Sequence, residues 1–287
     1  MNQQTNLSHI KHIVQSIGLK EKITNFEQMK GTTTGLVYRL GDDFDFKYIL
    51  KLEEAIGTSL AMHLLKTYER SILLPKIVYA ADDYSHMIYT YIKGTTHFNR
   101  GIKKNWLAIL VKELFNKYEV YQGDDVWGRL EYPRESWRAF NEISLRNAKN
   151  NVANHMSSED YELVHSLVNK LFRDFDPPVT RYLLHGDTGV HNFVFENCTL
   201  VGVIDPSPMA GPIIYDFIYA FCSSPDDIDT DTLFSAFDLM KHGNMDRTRL
   251  IEEVAVQLYC RIGLSIRHHP NDLSAYMDAW EQWKKLL

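Results

Sequence analysis

Apolar positions recur with two different periods along this chain, and the change of period divides it. Over LSHIKHIVQSI, Leu7, Ile10, Ile13, Val14 and Ile17 fall at helical spacing, and Gly18 stands where a helix would stop. From Phe26 to Lys51 the pattern becomes strand-like. Leu36, Val37, Tyr38 and Leu40 are set apart from Tyr48, Ile49 and Leu50 by the polar turn Gly41, Asp42 and Asp43, which predicts three antiparallel strands and two tight connections. A helix is expected near 54–68, followed by strands over Lys76 to Ala80 and Met87 to Ile92.

Beyond this point the period is helical. Segments near 104–120, 134–150, 158–174, 227–241, 246–267 and 271–286 read as helices, and only 181–205 interrupts them with strands. The expected fold class is therefore α+β. A first unit, residues 1–92, carries a five-stranded antiparallel sheet with a helix, and a larger, mostly helical unit spans 93–287. They are expected to meet at TYIKG, 90–94, since no repeat or low-complexity tether separates them.

Composition narrows the function classes. With 287 residues, 45% hydrophobic and 24% charged, the chain can bury a sizeable core. A formal net charge of -6 carries no basic excess for a nucleic-acid backbone. No apolar stretch approaches the roughly 20 residues of a membrane span, and the polar N-terminal segment lacks the apolar core of a signal peptide. Cys198, Cys222 and Cys260 are far apart without CxxC spacing, which fits a reducing cytoplasm and neither a disulfide framework nor a zinc site.

The densest chemistry is HGDTGVHN, 185–192, between the apolar runs Tyr182 to Leu184 and Phe193 to Phe195. The residues after it read as a hairpin turning near Cys198, which sets Asn192 opposite Asp205 to within about one pair, with Cβ atoms roughly 5 Å apart. An amide oxygen and a carboxylate at that separation suit magnesium, with phosphate and water completing the shell. Asp187, five residues before Asn192, is close enough to orient a hydroxyl, so the layout is that of phosphoryl transfer. HGD alone is ordinary turn chemistry. The combination with Asp205, Gly211 and Asp216 beside a buried hairpin is harder to explain without a partner, because unpaired buried charge is costly.

HGDTGVHN resembles the catalytic-loop signature of the aminoglycoside phosphotransferase and choline-kinase-like group, in which Asn follows the Asp by five residues. VIDPSPMAGPIIYD, 203–216, is similar to that group's second signature. The resemblance implies a two-lobed, protein-kinase-like fold and ATP- or GTP-dependent, magnesium-assisted phosphoryl transfer to a hydroxyl of a small molecule. It implies Asp187 as the base or orienter, His185 as a brace of the loop, Asn192 and Asp205 as magnesium ligands, and Asp216 as a structural partner at the start of the next helix. His191 is given no role. Protein kinase proper fits less well, because Asp205 is followed by Pro206 and no Ala-Pro-Glu segment occurs.

For the nucleotide, GTTTG (Gly31, Thr32, Thr33, Thr34 and Gly35) sits between the first two predicted strands, where backbone and hydroxyl groups can approach phosphate. Lys51 ends the strand YILK, and Lys47, on the same strand face, competes with it. The resemblance implies that such a lysine meets the α- and β-phosphates and is held by a helix glutamate. Thr58 stands near the expected acidic position, with Glu53 and Glu54 about a turn too early, so either Glu54 reaches Lys51 from the start of the helix or the pair is missing. Tyr89, Tyr91 and Ile92 belong to the segment whose backbone would meet the base.

For the acceptor, two acidic clusters stand out: Asp124 and Asp125 near Trp127, and Asp226 and Asp227 after Ser224 and Pro225. Carboxylates beside aromatic residues suit a cationic hydroxylated substrate. Ser-Pro-Asp-Asp is equally the signature of a helix N-terminus. Antibiotics and metabolites (choline, sugars, amino-alcohols) all remain open as acceptors, as do a monomer and a homodimer. Two other readings stand beside the kinase. One is a metal-dependent hydrolase using His185, Asp187, His191 and Asp205; the other is a catalytically weak kinase-like binding protein, motivated by the missing lysine partner.

Overall fold

The computed structural model describes residues 7–29, 35–96, 98–152, 155–173, 180–243 and 245–287, apart from the side chain of Arg173. The chain separates into two compact units, one of residues 1–69 with 74–93 and the other of residues 70–73 with 94–287.

The first unit opens with helix α1 (Leu7–Ile17), which ends where Gly18 takes φ 67°, a backbone conformation that glycine adopts without steric cost. Five strands follow: β1 (Asn25–Gln28), β2 (Leu36–Gly41), β3 (Phe46–Leu52), β4 (Ile77–Ala80) and β5 (His86–Thr90), with helix α2 (Ala55–Thr67) between β3 and β4. The sheet is antiparallel throughout, in the order β1-β2-β3-β5-β4. The β2 to β3 turn is held by Asp42, whose Oδ1 accepts from the N–H groups of Phe44 and Asp45, both at 2.9 Å. Alternation of side chains gives the sheet two apolar faces. Ile10, Ile13 and Val14 of α1 cover Tyr38, Leu40, Leu50 and Ile88, while the other face presents Val37, Ile49, Met87 and Tyr89 to Ala61 of α2.

The second unit contains α3 (Lys103–Glu113), β6 (Gly128–Arg129), α4 (Trp137–Val152), α5 (Ser158–Arg173), β7 (Tyr182–Leu184), β8 (Phe193–Glu196), β9 (Thr199–Val203), β10 (Met209–Gly211), α6 (Ile214–Phe221), α7 (Thr230–Phe237), α8 (Arg247–His268) and α9 (Leu273–Trp283). Among the described residues no helix is long and apolar enough to cross a membrane. The 22-residue α8 is the central beam, with Leu250, Val254, Leu258 and Ile262 all wholly buried.

Three expectations are corrected here. The helix expected over 104–120 stops at Glu113; after a single 3-10 turn the chain extends, and Glu119 and Tyr121 pair with Leu183 and Arg181. Edge pairing of β7 takes up backbone groups that a longer helix would have satisfied internally. The helix expected over 227–241 is only Thr230–Phe237, capped by Asp229, whose Oδ1 accepts from Thr232 N–H at 2.8 Å. Strands also lie outside 181–205: β6 and β10 join β7 in a sheet of order β6-β10-β7. At two and three residues, they are too short to show a period.

Candidate active site

In the first unit Lys51 is only 7% exposed, and its register neighbours are Val37 on β2 and Met87 on β5. A desolvated ammonium needs a counter-charge. It comes from Glu53, with Nζ to Oε2 at 3.0 Å. The expected partner Glu54 is exposed at the N-terminus of α2. Glu53 follows β3 directly, two residues after Lys51, the spacing at which an extended chain returns to the same face, whereas Glu54 is the N-cap residue of α2. Gly57 leaves room for the glutamate, since a Cβ there would stand 3.3 Å from Glu53 Cδ. Thr58, at the position expected for the carboxylate, is wholly buried, and its hydroxyl has no hydrogen-bond partner among the described residues. Lys47, the competing lysine, lies 3.4 Å from Asp42 and is 40% exposed.

Gly31, Thr32, Thr33 and Thr34 lie outside the described residues. Gly35 is described, at φ 71°, and a Cβ on it would meet the Leu52 carbonyl oxygen at 2.1 Å, so the start of β2 admits no side chain there. Tyr89 is buried against the Ala61 face, Tyr91 gives its N–H to the Lys47 carbonyl at 2.8 Å, and Ile92 is half-buried just past the end of β5.

In the second unit the loop after β7 is fixed from below. Gly186 has φ 79°, and a Cβ would lie 2.0 Å from the Ser207 carbonyl oxygen. Its N–H donates to both carboxylate oxygens of the wholly buried Asp216 at 3.2 Å, Tyr118 O–H donates to Asp216 Oδ2 at 2.6 Å, and Thr188 O–H donates to the Asp216 carbonyl at 2.8 Å. Burial pushes the Asp216 pKa up to about 6, against the pull of Tyr118, Gly186 and Arg129. His185 is wholly buried, and its Nδ1 accepts from Asp187 N–H at 3.4 Å. Burial lowers its pKa to about 4, so the ring is neutral near pH 7.

Asp187 is the exposed tip of this arrangement, with about a quarter of its side chain accessible. Burial would raise its pKa, but His191, Arg129 and His185 outweigh that and hold it at about 2. Its Oδ2 accepts from Asn192 Nδ2 at 2.9 Å and lies 3.3 Å from His191 Nε2, while Oδ1 has no hydrogen-bond partner among the described residues. Because a carboxylate only accepts, the Asn192 amide must turn its nitrogen to Asp187 and its oxygen away. Nδ2 also donates to the Asp187 carbonyl at 3.0 Å.

The hairpin supplies the second oxygen. Asn197 (φ 49°) and Cys198 (φ 59°) form its two-residue left-handed turn, and a bulge between Val194 and Phe195 moves the register so that Phe193 pairs with Val203. Asn192 then stands opposite Ile204, whose N–H it accepts at 2.9 Å, and Asp205 is the next residue. Asp205 is exposed, at φ 55°, although the residue before a proline is normally extended. Strain of this kind concentrates at functional sites. The Asn192 amide oxygen and the Asp205 carboxylate are hard donors of the type magnesium accepts. Among the described residues no group of three or more His, Cys, Asp or Glu side chains is arranged to hold a metal ion, and His185 is sealed within the loop; the four-ligand hydrolase set therefore does not form.

Several contributors carried little or no sequence signal. His191, given no role by the sequence, touches Asp187. Arg129 lies on a two-residue strand and donates to Ser207 Oγ, and Tyr118 holds Asp216 across 98 residues of chain. Glu53 was legible as a same-face neighbour of Lys51. The acidic clusters have other work: Asp125 pairs with Arg181 at 2.8 Å, Asp226 with Arg100 at 2.6 Å, Asp227 accepts from Lys103 N–H at 3.3 Å, and Asp124 is exposed, its carbonyl accepting from Arg181. Capping of α7 falls to Asp229 instead of Asp226 or Asp227.

No family model matches the sequence, and no curated protein matches it. Solved structures do. A complex of APH(2")-IIia with GDP and kanamycin superposes with a TM-score of 0.62 at 13% identity, covering 96% of this chain and 98% of that one. A thermostable mutant of the aminoglycoside phosphotransferase APH(4)-Ia, in a ternary complex with ADP and hygromycin B, gives 0.61 at 15% identity, covering 96% and 97%. A putative fructosamine-3-kinase from Haemophilus somnus 129PT gives 0.59 at 16% identity, covering 96% of each chain. Over nearly its whole length, this chain has the two-lobed, kinase-like α+β fold of these phosphotransferases.

Proposed function

We propose that the chain transfers the terminal phosphoryl group of ATP or GTP to a hydroxyl of a small molecule. The observation that carries this reading is the state of Asp187: ionised, fixed through Oδ2 by Asn192, and with Oδ1 left for an incoming hydroxyl. A carboxyl held at about 2 is a weak base, which suits a reaction whose loose transition state asks mainly for positioning and charge neutralisation. Asn192 and Asp205 would hold magnesium, which when bound neutralises charge on the phosphates. Lys51, oriented by Glu53, would bind the donor's phosphates, and Gly186 and Asp216 keep the loop in register. His185 supports the loop from inside as a neutral ring. The nucleotides in the neighbouring structures, GDP in one and ADP in another, support a nucleotide donor without choosing between the two.

The fructosamine kinase neighbour keeps a metabolite acceptor beside an antibiotic one. The binding-protein reading rested on a missing lysine partner, and Glu53 removes that motive. The test is release of ADP or GDP from the magnesium nucleotide, with and without a panel of hydroxylated acceptors. Acceptor-stimulated release that disappears in Asp187→Asn is expected. Binding of neither nucleotide by the purified chain would overturn the proposal.

A further inference from the structure

The second unit carries an open cavity of about 330 Å³, at the lower end of the size typical for small-molecule sites, roughly 300–1,000 Å³. Its walls come from α4, α6, α8 and the turn 127–134, which is closed by reciprocal backbone hydrogen bonds between Trp127 and Arg134 at 2.9 and 2.8 Å. The lining is largely apolar, with Phe140, Ile143, Val256 and Leu264, and its polar groups are one-sided in charge. Asn147, Asn151 and Gln257 offer amides, Tyr132, Tyr215 and Tyr219 offer rings and hydroxyls, and Arg129 and Arg134 offer two guanidiniums, with no Asp or Glu among them. The carboxylate in the adjoining small recess, Glu253, is already 3.2 Å from Arg249.

Neither cavity arginine has a carboxylate at ion-pair distance among the described residues. Arg129 donates to Ser207 Oγ, and Arg134 donates only to the neighbouring Pro133 carbonyl at 3.2 Å. Guanidiniums that line a small hollow with no carboxylate at ion-pair distance are suited to an anionic guest, because their planar donors match carboxylate and phosphate oxygens. The same wall reaches the catalytic loop. Met209 pairs with Arg129 on one side and with Leu184, the residue before His185, on the other, a span of two strands or about 10 Å. Ser207, which accepts from Arg129, gives its N–H to the His185 carbonyl at 2.9 Å, and Tyr215 adjoins Asp216. A guest anchored at the arginines is therefore held beside the loop that carries Asp187.

We propose that the acceptor is an anionic small alcohol, a hydroxylated carboxylate or phosphate monoester, whose negative group is held by Arg129 and Arg134. This rests on the phosphotransferase reading and narrows it: a polycationic aminoglycoside would meet two like charges and no carboxylate in this cavity. The four aspartates that suggested a cationic guest do not line it.

The experiment is calorimetric binding to the full chain of a size-matched set: D-gluconate, D-glucose 6-phosphate, D-glucose and D-glucosamine, each with and without Mg-ADP. At least one anionic member should bind about tenfold or more tighter than glucose, with glucosamine weakest, since a charge-assisted hydrogen bond is worth that much. Gluconate against glucose 6-phosphate decides between carboxylate and phosphate. Arg134→Gln, on a half-exposed turn, should weaken the anion by about tenfold and leave glucose nearly unchanged, and Arg129→Lys, which keeps the charge but loses the fork, should weaken the anion by about tenfold. Thermal melting checks that both variants fold. Glucosamine binding tightest, no dependence on charge, no binding by any member at millimolar concentration, or anion affinity indifferent to both substitutions would overturn the proposal. Failure of Mg-ADP to bind, with the arginine-dependent anion site intact, would instead remove the phosphotransferase reading and leave the anion site standing.

Discussion

Lys51 Nζ and Glu53 Oε2 lie 3.0 Å apart as neighbours on the same face of one extended segment, both nearly buried. The pair is made within three residues of chain, and Gly57 of α2 leaves the space that the glutamate occupies. Removing the carboxylate takes away a counter-charge 3.0 Å from a buried ammonium. Glu53→Gln should cost about 1–3 kcal/mol of stability and weaken nucleotide binding, while the exposed Glu54→Gln stays within about 0.5 kcal/mol. Urea melts and nucleotide titration of the two variants check this; equal effects would contradict the assignment.

Asn192 links Asp187 to the proposed magnesium site, since one end of its amide holds the carboxylate and the other is left for the cation. Asn192→Ala should therefore damage both functions, raising the magnesium concentration for half-maximal activity and lowering kcat by about 100-fold through misplacement of Asp187. Asp205→Asn should act mainly on the magnesium requirement. Magnesium titrations at saturating nucleotide distinguish the two.

His185 and Asp216 pull stability in opposite directions with pH. The His185 pKa is about 4 in the fold against 6.5 for a free side chain, so the unfolded chain binds more protons in that window and stability is lost as pH falls from 6.5 to 4. The Asp216 pKa is about 6 against 3.8, so the folded chain binds more protons and stability is lost as pH rises from 3.8 to 6. His185→Gln should remove the first slope, and Asp216→Asn the second. Denaturant melts across pH 4 to 6.5 should show the two variants deviating from the parent with opposite sign.

Gly186→Ala tests how tightly the loop is built. A methyl group there meets the Ser207 carbonyl at 2.0 Å and adopts a left-handed backbone, so a loss of about 2–4 kcal/mol is expected from strain and overpacking together. Circular dichroism melting gives the stability, and activity at low temperature separates loop displacement from unfolding.

Much of this was legible in the sequence because it depended on local rules. The limits of α1, the strands β2, β3 and β5, and the hairpin carrying Asn192 and Asp205 follow from apolar period and turn residues. HGDTGVHN and VIDPSPMAGPIIYD pointed to one loop because their spacing brings them together through a single hairpin. The partner of Lys51 was misjudged where an expectation about a helix displaced the simpler two-residue rule of a strand.

By itself, the sequence determined which segments extend, which coil, and which polar residues cluster at the end of β7, since these are set within a few residues of chain. Only the tertiary structure decided the rest. Tyr118 and Arg129 reach the loop over 98 and 78 residues to Asp216 and Ser207, strands too short to show a period complete the sheet under it, and Asp226 and Asp125, which looked available, pair with Arg100 and Arg181 from distant elements. Long-range charge pairing and burial depend on which surfaces meet, and no local pattern of residues records that.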